Sequence, residues 1–251
     1  MAYDGSVPMT RRFLWLFYDH LGGVVLCNLL WSLVNIPYVF LAYLILQAGL
    51  SAGTWYSVCG VVVALIAAFF SPPSLIVYWV GASWVRRREV HLKEVWYLLK
   101  LQFIRAQLLQ LILVVASVAL MLNAAFYADF AGLFGLFLAA LMGWLLVAIG
   151  VIGLYSLPLL VTQDTGVWQT LRQSLLLAVT HLGGSLKSGI VFLLFLALGA
   201  VSGIGFFCGL FVAWSLWFNT YLRGVLMEYT GESWGEKEER SLREIIRPWE
   251  S

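Results

Sequence analysis

The chain has 251 residues, of which 62% are hydrophobic and only 11% charged, and its mean hydropathy is +0.90. Soluble domains carry about a quarter of their residues as charge, and a water-soluble core has no room for this much apolar surface, so soluble enzymes and binding domains are excluded. The formal charge of +2 reflects 15 basic residues set against 13 acidic ones; no nucleic-acid partner is expected, because the basic residues are dispersed and gather on no groove-binding element.

In chain order, residues 1–20 contain an amphipathic stretch, Pro8–His20, with Phe13, Leu14, Leu16 and Phe17 set against Arg11, Arg12 and Asp19. It leads into an apolar run near 22–47, which is too long for a signal-peptide core and is read as an uncleaved first span. A second run, near 56–84, carries Pro72 and Pro73 between Ser71 and Ser74. Val90, Leu92, Val95, Trp96 and Leu99 then recur at helical spacing ahead of spans near 103–127 and 132–161. Asp164 and Thr165 are expected to cap an interfacial helix whose apolar face is Val167, Trp168, Leu171, Leu175 and Ala178. The last spans are placed near 187–204 and 206–226 and divide at Ser202–Gly205; a single span with a re-entrant end is the competing reading. A charged tail, 229–251, follows the transmembrane region 21–228.

The fold class is therefore all-α, a polytopic bundle of about six spans with amphipathic helices on one face. A transmembrane barrel is excluded because Gly60–Phe70 and Leu108–Leu122 are almost continuously apolar, where barrel strands alternate. The basic residues lie before the first span, in every second loop, or after the last. The segments around Gly49–Trp55, Tyr127–Ala131 and Ser202–Gly205 have none. Both termini are accordingly expected to be cytoplasmic, facing anionic lipid. Trp15, Trp55, Trp84, Trp96, Trp168 and Trp234 are assigned to the aromatic belts at the span ends.

The tetrapeptide His-Leu-Gly-Gly occurs twice, at His20–Gly23 and His181–Gly184. Glycine suits a corner between an interfacial helix and a span because it accepts positive φ, and a threefold repeat of hairpins is one reading of the recurrence.

Chemistry-bearing patterns are sparse. No ionisable residue falls in the middle of a span: Arg105, Lys187, Arg223 and Glu228 lie within about two turns of a span end, where long side chains snorkel. Cys27, Cys59 and Cys208 lack paired spacing, and His20, His91 and His181 are far apart. No catalytic residue, metal site or cofactor is expected. The sharpest feature is a polar stripe in the first span, Asn28, Ser32 and Asn35 at i, i+4 and i+7, followed by Pro37. Buried amides join helices at about 0.6–2 kcal/mol each, and Gln107, Gln110, Asn123 and Asn219 are candidate partners, so packing is the favoured reading. Lining of a small-solute path is the alternative, with Pro72 and Pro73 as a helix break of the kind found at transporter binding sites.

Phe17–Tyr18–Asp19–His20–Leu21–Gly22, then Asn28–Leu29–Leu30–Trp31 and Pro37, resemble the opening of the YesL-like family of bacterial membrane proteins. Pro73, Tyr78, Phe103–Ile104–Arg105–Ala106, Asn123, Phe126–Tyr127 and Tyr155–Ser156–Leu157–Pro158–Leu159 extend the resemblance over residues 13–226. About thirty-five residues separate Pro37 from Pro73, more than is usual in that family, which points to an extra crossing. The resemblance implies an accessory role in carbohydrate uptake alongside a sugar transporter component, and it assigns no catalytic residue. A transporter for a neutral solute or lipid is the alternative function.

Overall fold

The computed structural model describes residues 8–52, 72–129, 132–202 and 209–231. All regular structure among them is α-helical: α1 (Met9–Asp19), α2 (Leu21–Ala52), α3 (Pro72–Val85), α4 (Leu92–Asp129), α5 (Leu133–Gln163), α6 (Val167–Thr180), α7 (Leu182–Ser202) and α8 (Leu210–Thr230). Helices α4, α5 and the stretch Leu182–Gly199 of α7 are each long and apolar enough to cross a bilayer, and α1 with Leu21–Pro37 of α2 meets the same test as a pair bent by 80°. In hydrocarbon a helix satisfies its own backbone groups, which is why such continuous apolar runs fold this way. The chain is a helical membrane protein.

Helix α8 forms the hub. Phe211 to Leu216, then Phe218, Asn219, Thr220 and Leu222, are all buried, and the helix packs against α1, α2, α3, α5 and α7. A helix buried on most sides needs apolar side chains around its girth, and the polar groups it does bury, Ser215, Asn219 and Thr220, are hydrogen-bonded. At the periphery, α5 exposes Leu133, Phe134, Phe137 and Trp144, a surface suited to acyl chains and unsuited to water.

Several boundaries differ from the sequence reading. The run placed near 22–47 falls in α2, Leu21–Ala52, that near 132–161 in α5, Leu133–Gln163, and those near 187–204 and 206–226 fall in α7, from Leu182, and α8, to Thr230. Residues 53–71, 203–208 and 232–251 lie outside the described residues, so the first part of the 56–84 run, the division at Ser202–Gly205 and the tail have no description. The amphipathic stretch before the third span is no separate helix. It forms the first turns of α4, whose 38 residues extend about 57 Å at 1.5 Å per residue, against about 30 Å of hydrocarbon. Leu98 is buried there, whereas Leu92, Trp96 and Tyr97 stay exposed.

The capping role expected of Asp164 is also corrected. Asp164 takes a left-handed conformation that closes α5, and Gly166, with no side-chain cap, begins α6. The Asp164 carboxylate instead accepts from Arg105 at 2.8 Å and from Gln102 at 3.3 Å. Helix α6 docks through Thr170, Ser174 and Ala178, leaving Trp168 and Leu175 exposed. Small residues permit close approach, and in lipid a large apolar side chain gains little by turning inward.

Both His-Leu-Gly-Gly corners are present, between α1 and α2 and between α6 and α7. The glycines serve a different purpose from the one expected, since none of the four has positive φ. A Cβ on Gly23 would lie 2.9 Å from the Trp84 ring, and one on Gly184 would run into the Tyr221 hydroxyl. The second glycine of each corner thus admits an aromatic ring from a packed helix, while Gly22 and Gly183 face open space. Trp15 and Trp84 are accordingly buried residues, whereas Trp96 and Trp168 keep the exposure of a belt.

Candidate functional site

The polar stripe of α2 meets the start of α8. Asn28, fully buried, accepts hydrogen bonds through Oδ1 from the backbone N–H of Phe211 at 3.1 Å and of Val212 at 3.2 Å. A helix leaves its first four N–H groups unsatisfied, and Gly209, which precedes α8 at φ 122°, brings no side chain to cap them. Asn28 is therefore a cap supplied from another helix. The close approach is possible because Gly209 lacks a Cβ, which would fall 2.9 Å from a Val24 methyl.

One turn on, Trp31 donates its indole N–H to Ser74 Oγ at 2.8 Å and stacks on Phe211 with ring centroids 4.2 Å apart. Tyr78 approaches Phe211 edge-on, and its hydroxyl accepts from the Trp214 indole at 3.2 Å. Ser32 is buried on the same face. Asn35 donates from Nδ2 to the Trp31 carbonyl on its own helix, and its Oδ1, on a residue 1% exposed, has no hydrogen-bond partner among the described residues.

The second polar seam joins α3 to α8. Ser215 donates to the Val77 carbonyl at 3.3 Å, Asn219 donates to the Tyr78 carbonyl at 3.1 Å, and the Arg223 guanidinium donates to the Val85 carbonyl. These three residues stand four apart, so one edge of α8 holds the backbone of α3. Gly81 makes the contact possible: a Cβ there would lie 2.9 Å from Asn219 Nδ2 and 3.0 Å from Ser215 Oγ.

Of the residues singled out in the sequence, Asn28, Ser32, Asn35 and Asn219 converge on the core around α8, though Asn219 bonds to α3 and not to the stripe. Pro72 and Pro73 are the first two residues of α3, and the run ahead of them, where a helix break would show, lies outside the described residues. Asn123 departs from the expected pairing: it is exposed and donates to Ala119 on its own helix at 2.7 Å. Gln107 and Gln110 belong to α4, which packs on α3, α5 and α6.

A hydroxyl cluster went unnoticed in the sequence. Tyr155 on α5 meets Ser185 Oγ on α7 at 2.7 Å and the Tyr221 hydroxyl on α8 at 3.2 Å. It lacks a base or nucleophile pair. Single Tyr and Ser residues in separate spans carry no spacing signal, although the conjunction of Tyr155 with Pro158 and of Ser185 with His-Leu-Gly-Gly marked both neighbourhoods. Among the described residues no group of His, Cys, Asp or Glu could hold a metal ion.

No family model matches the chain. No curated protein and no solved structure gives a significant match.

Proposed function

We propose that the protein is an accessory or scaffold component of the bacterial cytoplasmic membrane, serving solute uptake, with six spans and both termini cytoplasmic. The observation that supports a scaffold most directly is the occupation of the Asn28 carbonyl by the α8 amides. The conspicuous polar groups of the first span are engaged in holding helices together, which leaves few of them to bind a moving solute. The family resemblance of residues 13–226 supplies carbohydrate as the solute class and a sugar transporter component as the partner. Anionic lipid is the partner proposed for the basic face.

Affinity purification from native membranes in a mild detergent tests this reading. A stoichiometric transporter subunit should be recovered with the chain. Liposomes containing the purified chain alone should show no sugar flux above empty liposomes, and flux from the chain alone would overturn the scaffold reading.

A neutral-solute path is the second reading, favoured by the buried Asn35 Oδ1, which has no hydrogen-bond partner among the described residues. Asn35→Leu separates the two. A scaffold tolerates it, because removing both polar groups from a packed face is close to neutral, whereas a path loses its solute contact at normal protein abundance.

A further inference from the structure

A cavity of about 430 Å³ opens where the C-terminal ends of α3, α5 and α8 converge. Its lining includes Arg86 and Arg88 from the turn after α3, Thr162 near the end of α5, and Asn219, Arg223 and Thr230 of α8; among the described residues no carboxylate lines it. Of the described acids nearest along the chain, Glu89, which follows Arg88, is exposed and lies 4.0 Å from His91, Asp164 is held by Arg105, and Glu228 is exposed outside the lining.

Arginine near a helix C-terminus has an ordinary structural use, and Arg223 performs it by donating to the Val85 carbonyl. The charges nevertheless do not balance. With Arg223 engaged and set aside, the guanidinium groups of Arg86 and Arg88 carry +2 against about −0.5 from each of three helix ends, so the described lining keeps a positive balance of about 0.5. Arg86 and Arg88 are both exposed, and neither side chain has a hydrogen bond or ion pair among the described residues. Guanidinium forks match phosphate oxygens two at a time, which makes phosphate the fitting anion.

A second feature narrows the ligand. Asn219 is 3% exposed and its Oδ1 has no hydrogen-bond partner among the described residues. The orientation of the amide follows from its nitrogen, which faces the Tyr78 and Ser215 carbonyls at 3.1 and 2.9 Å. Asn219 is a lining residue, so an unsatisfied buried acceptor stands beside the cations. Inorganic phosphate has P–OH donors only on the group that the arginines would hold, whereas a phosphate ester bearing a hydroxyl or ammonium group places a donor apart from its phosphate.

We propose that this cavity binds a phosphate ester with a hydrogen-bond donor on its substituent, the phosphate held by Arg86 and Arg88 and the donor directed to Asn219 Oδ1. A phospholipid headgroup such as phosphoglycerol and a soluble polyol phosphate share this chemistry. The assignment rests on membrane insertion of the chain and is independent of the scaffold reading, which the co-purification experiment tests separately.

Native mass spectrometry of the full chain, exchanged into mixed micelles with phosphatidylglycerol or phosphatidylcholine, tests the lipid source. Thermal unfolding with glycerol 3-phosphate or inorganic phosphate tests the soluble one. Arg86→Gln with Arg88→Gln removes the proposed clamp from exposed positions. Arg172→Gln with Lys187→Gln removes equal charge elsewhere. Charge-assisted bonds of this kind predict about tenfold or more weakening in the first double variant, with the control unchanged. Preferential, clamp-dependent retention of phosphatidylglycerol identifies a headgroup. Clamp-dependent stabilisation by glycerol 3-phosphate but not by inorganic phosphate, without lipid preference, identifies a soluble ester. Equal losses in both double variants would reduce the effect to general surface charge and overturn the site, as would indifference to all four probes.

Discussion

Asn28 holds two backbone amides of a helix that lies far from it in sequence, and its replacement should reveal that role. Losing a capping side chain costs about 0.5–2 kcal/mol, so Asn28→Leu should lower the unfolding temperature in detergent, whereas Asn28→Asp, measured at acid pH where its carboxyl is neutral, retains an acceptor oxygen without burying a charge and should recover part of the loss. Equal destabilisation by both would show that the carbonyl contact contributes nothing. Gly81 gives a steric counterpart. In Gly81→Ala the new methyl meets Asn219 and Ser215 within about 3 Å, and overpacking of a tight seam costs about 1–3 kcal/mol. Gly22→Ala, where no atom stands within 4 Å, is the matched control and should unfold with the wild type, as circular dichroism melts of the three proteins would show.

Helix α6 should behave as a docked element although its largest apolar side chains face outward. Thr170 and Ser174 return their hydroxyls to the carbonyls of Gly166 and Thr170 on the same helix, so a buried polar face remains satisfied while it packs. Amide hydrogen exchange over Val167–Thr180 should be slow on the Thr170, Ser174 and Ala178 side, and exchange at the rate of an open loop would show that the helix is not docked. The apolar face drawn from Val167, Trp168, Leu171, Leu175 and Ala178 was legible as a stripe, and it divides in the fold: Ala178 is buried against protein while Trp168 and Leu175 stay exposed. Periodicity locates a face, and in a bilayer an apolar face is satisfied by lipid as well as by protein.

The whole molecule is predicted to present its basic residues on one side. Reporters fused after Gly53 or Ala128 should read as external, and those after Arg88, Thr165 or Ser251 as cytoplasmic; an external reading at Arg88 would end the six-span arrangement. Composition alone was enough to establish a helical membrane protein, because a continuous apolar run in hydrocarbon has one way to satisfy its backbone. The stripe of Asn28, Ser32 and Asn35 was equally visible, since residues at that spacing must share a helix face. Which groups those amides would meet was not visible. Asn28 pairs with the amides of residues 211 and 212, and Asn219 with the carbonyl of residue 78, and backbone groups are the same whatever the residue, so no side-chain pattern announces them. The two His-Leu-Gly-Gly corners could likewise be located but not explained, because the rings that fill the space at Gly23 and Gly184 belong to Trp84 and Tyr221, brought there only when the helices pack. Local sequence governs local backbone and exposure to lipid, while close approach between distant helices depends on their packing.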